Sequence, residues 1–330
     1  MNDSFLQSIR DYRQYGRMDF WSPKEIEEYL HENGGVVGQD AACRAAALIT
    51  YNHFEGRPSV NLFHGTTGCG KTFIWEQMKE YLGPRIVIVD GSTLTGEGWK
   101  GGNKLSSIFR HMRPDDRSKS IIVFDEFDKV LEPQYGASGT NYSDIVTNQL
   151  LCLCNHGKLF FGAEDRQESI TVDCSLVSVV FLGCFDRLRR SIQHRSAGIG
   201  FNAFSRVEEK PEITLEDIIE NGMRRELAGR ITRVVQMDEP SVDDFIRIGN
   251  DEISRQEQLL NKKIKCDPSV IIMLARMALG SELGARFMKN KLQSMIDDCI
   301  YEDPDAEQYD ISYEHSTRLR HPEPEPPQFA

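Results

Sequence analysis

The eight residues Gly65-Thr-Thr-Gly-Cys-Gly-Lys-Thr72 constrain this chain more than any other feature. They fit the pattern G-x-x-x-x-G-K-[S/T] and stand between an apolar run, Val60 to Phe63, and a stretch with helical spacing, Thr72 to Leu82. Glycines in such a turn let several backbone N–H groups face one anion, and the following helix adds the positive end of its dipole. The segment therefore predicts a phosphate cradle. Thr66, Thr67, Gly68, Cys69 and Gly70 form its backbone, Lys71 supplies a point charge, and the Thr72 hydroxyl is a candidate Mg²⁺ ligand.

A second element answers the first. Ile121-Ile-Val-Phe-Asp-Glu-Phe-Asp-Lys129 is an apolar strand ending in two carboxylates, and a buried strand of an open α/β sheet delivers such residues to the edge where ligands collect. Asp125 is expected to hold Mg²⁺ through water and Glu126 to orient and deprotonate an attacking water. The ligand implied by these two elements is a nucleoside triphosphate with Mg²⁺.

Further strand-sized runs occur at Ile86 to Val89, Val177 to Leu182 and Ile231 to Val235. Helical stretches separate them at Lys104 to His111, Ser143 to Asn155 and Leu215 to Leu227, after two helices near Ser22 to Gly34 and Gln39 to His53. The alternation predicts an α/β fold with a mostly parallel sheet between helices. From Glu239 onward only helical spacing remains, with Asp267-Pro268 opening one helix and Gly280 closing it. The expected organisation is an N-terminal extension at 1–21, a large domain at 22–238, a small helical lid at 239–303, and an acidic, Pro-rich disordered tail at 304–330.

Charge and cysteines narrow the class. The net charge of −12 lacks the broad positive field that duplex DNA requires, and Glu302 to Ala330 carries half of it. Nucleic acid is therefore an unlikely partner. The eight cysteines contain no C-x-x-C pair, which argues against a zinc site and a disulfide framework. No run of 18 apolar residues is present, and the first ten residues have no secretory pattern, so a cytoplasmic, non-membrane protein is expected. Arg187, Arg189, Arg190 and Arg195 form a basic cluster that reads as a solvated helix face.

Several further motifs, in order, resemble those of the AAA+ ATPases and, among them, the ClpX protein-unfoldase family. Val36-Val-Gly-Gln39 resembles the adenine-contacting segment, and Tyr51-Asn-His53 the end of the helix after it. Asp125-Glu-Phe-Asp-Lys129 is close to the family's Asp-Glu-Ile-Asp-Lys, Gly229-Arg230 falls at the arginine finger, and Gly284-Ala-Arg286 is similar to the sensor-2 motif. The resemblance implies an AAA+ core with a helical lid, adenine contact at Val36 and Val37, and phosphate contact by Arg286 from the lid. It also implies a homo-hexamer in which Arg230 completes a neighbour's site. Leu94-Thr-Gly-Glu-Gly-Trp-Lys-Gly101 resembles the substrate pore loop, with Gly98, Trp99, Lys100 and Gly101 gripping protein substrates. Ser196-Ala-Gly-Ile-Gly-Phe201 resembles the loop that docks on a ClpP-type peptidase through Ile199, Gly200 and Phe201.

The chain also departs from that family. Only a short segment precedes Ser22 and the first cysteine is Cys43, so the four-cysteine zinc domain is expected to be missing. Gly162-Ala-Glu-Asp-Arg-Gln-Glu-Ser169 stands where a second pore loop would be basic, and Gly102 and Asn103 replace acidic residues after the first. Phe181-Leu-Gly-Cys-Phe185 offers no evident sensor-1 residue. The reading is an ATP-dependent unfoldase that delivers proteins to a ClpP-type peptidase. Its rival is a protease-independent remodelling ATPase or nucleotide-dependent assembly scaffold.

Overall fold

The structure, a computed structural model, describes residues 22–96, 103–135, 141–163, 168–196 and 213–312. The pore-loop residues Gly98, Trp99, Lys100 and Gly101, the docking residues Ile199, Gly200 and Phe201, and the extension at 1–21 lie outside them. The described chain divides into a larger unit ending at Asp238 and a smaller one beginning at Glu239, with Thr67–Gly70 grouped with the smaller.

The larger unit opens with α1 (Pro23–Glu32). Ser22 starts it through a capping box: its hydroxyl accepts from the Glu25 amide, and Glu25 accepts from the Ser22 amide at 2.6 Å. Then follow α2 (Asp40–Phe54), β1 (Val60–His64), α3 (Lys71–Leu82), β2 (Ile86–Asp90), α4 (Leu105–His111), β3 (Ile121–Asp125), α5 (Phe127–Leu131) and α6 (Tyr142–Cys154). The chain continues through β4 (Lys158–Phe161), β5 (Ile170–Asp173), β6 (Ser178–Gly183), α7 (Asp186–Ser196), α8 (Leu215–Glu220), α9 (Arg225–Ala228) and β7 (Ile231–Gln236).

Five strands make one parallel sheet in the order β2-β3-β6-β1-β7. Residues Ile121 to Phe124 and Val179 to Leu182 are fully buried, as central strands covered on both faces must be. Because β6 lies between β1 and β3, the ends of those two strands bring the phosphate loop and Asp125 to one edge on either side of Gly183. Phe63 packs edge-on against Trp75 of α3 on one face. On the other, Leu62, Phe124 and Phe181 join Phe127, Leu188 and Leu227 in the core.

A polar chain runs through this core. The Ser59 amide donates to Ser178 Oγ, whose hydroxyl meets His53 Nδ1 at 2.9 Å, while His53 Nε2 faces the Lys119 carbonyl at 3.3 Å. That carbonyl can only accept, so the Nε2–H tautomer satisfies every member.

The smaller unit holds α10 (Val242–Leu260), β8 (Lys263–Cys266), α11 (Pro268–Leu279), α12 (Ala285–Glu302) and β9 (Gln308–Ile311). Its core is Phe245, Leu274, Met288, Leu292 and Ile296, with Tyr309 and Ile311.

The structure corrects three sequence expectations. The stretch Leu215 to Leu227 is two helices, broken at Asn221-Gly222 where Gly222 takes φ 113°, a conformation that favours glycine. The region after Glu239 is not purely helical, since β8 and β9 pair in parallel. The tail does not begin at 304: Gln308–Ile311 is a strand whose Tyr309 and Ile311 are buried. The alternating pattern Gln-Tyr-Asp-Ile buries one face of β9, which offsets the cost of ordering it.

Candidate functional site

The loop after β1 takes φ 76° at Gly68 and φ 101° at Gly70, so a side chain at either would be strained. Thr66, Thr67 and Gly68 are half-buried, as is Gly70, whereas Cys69 is buried. Lys71 opens α3 and is 6 % exposed. Its ammonium donates to the carbonyls of Gly65 and Thr66, both at 2.8 Å, and to Cys184 Sγ at 3.2 Å. A buried ammonium costs several kcal/mol without acceptors. These three hold it at the strand edge in advance of any ligand.

Thr72 Oγ1 donates to Asp125 Oδ2 at 2.7 Å. Two hard oxygen groups from separate elements thus meet beside the loop, the donor set that Mg²⁺ takes in phosphate sites. Asp125 also fixes its neighbour, for its Oδ1 accepts from the Glu126 amide at 2.9 Å. Glu126 has φ 51° and is exposed as the N-cap of α5. A left-handed conformation at a non-glycine residue costs about 1 kcal/mol, and it turns the chain sharply after β3 so that the carboxylate faces solvent at the strand edge. Gly91 allows the loop after β2 to approach: a Cβ there would lie 2.5 Å from the Asp125 carbonyl oxygen.

Among the other residues expected from the sequence, Val36 is buried and Val37 half-buried, just before α2. Gln39, the last residue of that segment, reaches Asp238 through its side-chain amide. Arg230 is exposed and precedes Ile231, which pairs with Val60. It therefore stands at the start of β1, while the phosphate loop leaves the other end. About 13 Å of strand separates the two levels. Arg286 is exposed in the first turn of α12 in the smaller unit.

Two polar side chains near the loop were not anticipated. His64, the last residue of β1, is 1 % exposed and neither ring nitrogen has a hydrogen-bond partner. Burial, then Arg189 and Lys71, push its pKa down to about 4. The basic cluster is also not uniformly solvated. Arg187 is exposed and pairs with Glu132 at 3.6 Å, but Arg189 is half-buried, with Nε and Nη2 out of water and unpartnered. The only sequence signal was a histidine in an apolar run immediately before the phosphate loop.

The parallel sheet, the phosphate loop at one strand edge and the acid pair beside it define an ATPase core of the P-loop class. Residues 61–172 match the family described as ATPase family associated with various cellular activities (AAA). Within that class the chain is ClpX-like. It is 25 % identical over 343 residues to the ATP-dependent Clp protease ATP-binding subunit ClpX of Treponema denticola, covering 92 % of this chain and 82 % of that protein. No described helix is long and apolar enough to cross a membrane.

Proposed function

We propose that this ATPase is a cytoplasmic protein unfoldase and translocase that works as a homo-hexameric ring and delivers unfolded chains to a ClpP-type peptidase. The observation that carries the reading is its likeness, over 92 % of the chain, to a protein named as the ATP-binding subunit of a Clp protease.

In this mechanism the loop backbone from Thr66 to Gly70 binds the phosphates of ATP and Lys71 neutralises them. Thr72 and Asp125 would hold Mg²⁺, which when bound neutralises developing phosphate charge. Glu126 orients and deprotonates the attacking water. Val36 and Val37 contact adenine, and Arg286 reads the phosphates from the small domain. Arg230 reaches a neighbour's terminal phosphate. Its position at the far end of β1 supports action between subunits, since a whole strand length separates it from its own loop.

Trp99, with Gly98, Lys100 and Gly101, drags the substrate, because a large ring flanked by glycines grips polypeptide without regard to sequence. Ile199, Gly200 and Phe201 dock on the peptidase. Co-sedimentation with ClpP of wild type and Phe201→Ala tests the delivery step. Wild-type binding that the variant loses supports it. Binding that ignores Phe201, or no binding, turns the reading toward a remodeller that feeds no protease. The unfolding step is tested by retaining client proteins on Glu126→Gln rings in ATP and following a client's hydrogen exchange with active rings. ATP-driven loss of protection that needs Trp99 is expected, and full ATP turnover with protection intact would contradict it.

A further inference from the structure

Strand β6 ends at Gly183, and the chain turns through Phe185, at φ 52°, into α7. This turn lies at the same sheet edge as the phosphate loop. Cys184 touches the Lys71 ammonium through Sγ, and its amide donates to Asp128 Oδ1 at 3.2 Å. The Phe185 carbonyl accepts from the Arg189 amide at 2.9 Å, which places Arg189 one helical turn beyond Phe185, the residue that follows Lys71's partner Cys184. His64 pairs in register with Gly183 and directly precedes the loop.

Arg189 is not at rest in a satisfied site. Its Nε and Nη2 are buried and make no hydrogen bond, and both ring nitrogens of His64 are in the same condition. Arg189 and Lys71 are both close enough to His64 to disfavour its protonation, so the imidazole stays neutral and offers no counter-charge. A guanidinium cannot shed its proton as a lysine can, and leaving it partly desolvated with unused donors costs free energy. What the cluster lacks is an anion, and the site beside it is built for one.

We propose that Arg189 is a second phosphate-binding cation of the nucleotide site, acting within its own subunit and specific for the terminal phosphate of a nucleoside triphosphate. With the triphosphate bound, the guanidinium turns from its place near His64 onto that phosphate, where its planar fork matches two oxygens at once. A diphosphate lacks that group, so Arg189 separates the ATP state from the ADP state. It also supplies the polar group that Phe181 to Phe185 does not provide. The inference rests on reading the loop as a nucleotide site.

The test uses the full chain and measures equilibrium binding of a non-hydrolysable ATP analogue and of ADP, together with the melting temperature of the nucleotide-free protein. Wild type is compared with Arg189→Met, Arg189→Lys and Lys71→Ala. Arg189→Met should weaken the ATP analogue about 10- to 100-fold while ADP affinity stays within about twofold. Arg189→Lys should fall between. Removing an unpaired, partly buried charge should leave the ligand-free melting temperature unchanged or higher, an outcome that a structural arginine would not give. Loss of binding in Lys71→Ala with analogue binding intact in Arg189→Met would overturn this inference alone. A lower melting temperature with equal losses for both nucleotides would also overturn it, by making Arg189 structural. Wild type that binds neither nucleotide would overturn the underlying site as well.

Discussion

The side-chain amide of Gln39 grips both backbone groups of Asp238: Nε2 donates to the carbonyl oxygen at 2.6 Å, and Oε1 accepts from the amide nitrogen at 2.9 Å. Gln39 is 5 % exposed and left-handed at φ 61°, at the N-cap of α2. It ties the segment before that helix to the point where the chain leaves β7. Gln39→Ala removes two hydrogen bonds and puts a Cβ-bearing residue with no compensating contact into a strained conformation. It should destabilise the larger unit by about 2 kcal/mol, read by denaturant unfolding. Gln39→Asn tolerates the backbone but is one methylene short, so it should recover little of the loss. Wild-type stability in both variants would show that the grip contributes nothing.

The contact between Thr72 and Asp125 gives a prediction about the metal. Asp125→Asn keeps the shape, with its oxygen still able to accept from the Glu126 amide and its NH₂ able to donate to the Thr72 hydroxyl oxygen, but it removes the charge. The Mg²⁺ concentration for half-maximal turnover should rise at least about tenfold, with unfolding free energy changed by less than about 1 kcal/mol. An unchanged Mg²⁺ dependence would remove Asp125 from the metal site.

Buried histidine makes stability depend on pH in a defined window. His53 ionises near 6.5 when unfolded, whereas burial brings its folded pKa down to about 4. Between those values the unfolded chain binds the proton more tightly, so stability is complete above pH 6.5 and falls as pH drops toward 4. Folding free energy should drop by about 1 to 2 kcal/mol between pH 6.5 and 5 from this group, with His64 adding a similar amount. His53→Gln should lower stability at pH 7 and flatten that slope. Parallel slopes in variant and wild type would contradict the assignment.

How much of this was legible in the sequence follows from where each signal resides. The phosphate loop and Asp125-Glu126 were readable because their chemistry is local, and the five sheet strands because buried parallel strands are continuous apolar runs. The break at Gly222 was hidden: Ile218, Ile219, Met223 and Leu227 keep helical spacing across it, although a glycine with positive φ ends α8. Strand β9 was hidden among acidic residues, and its Tyr309 and Ile311 have a reason to be ordered only because the small unit's core receives them. Arg189 looked like any solvated arginine in Asp-Arg-Leu-Arg-Arg, since nothing local to that run shows that its Nε and Nη2 are removed from water.

The exposure of Glu126 makes the catalytic base separable from binding. Glu126→Gln preserves size and hydrogen bonding but cannot take a proton, so ATP should still bind while turnover falls by at least about 100-fold. Undiminished hydrolysis would assign the base elsewhere.

The most direct test of the whole account mixes two inactive proteins. Glu126→Gln subunits keep the finger and lack the base, while Arg230→Ala subunits keep the base and lack the finger. If sites are completed between subunits of a ring, each variant alone should be nearly silent and their mixture should recover roughly a quarter of the wild-type ATPase rate on random assembly. A mixture as silent as its components, or an Arg230→Ala protein that hydrolyses ATP at the wild-type rate, would contradict a ring ATPase driven by Glu126 and a neighbour's Arg230.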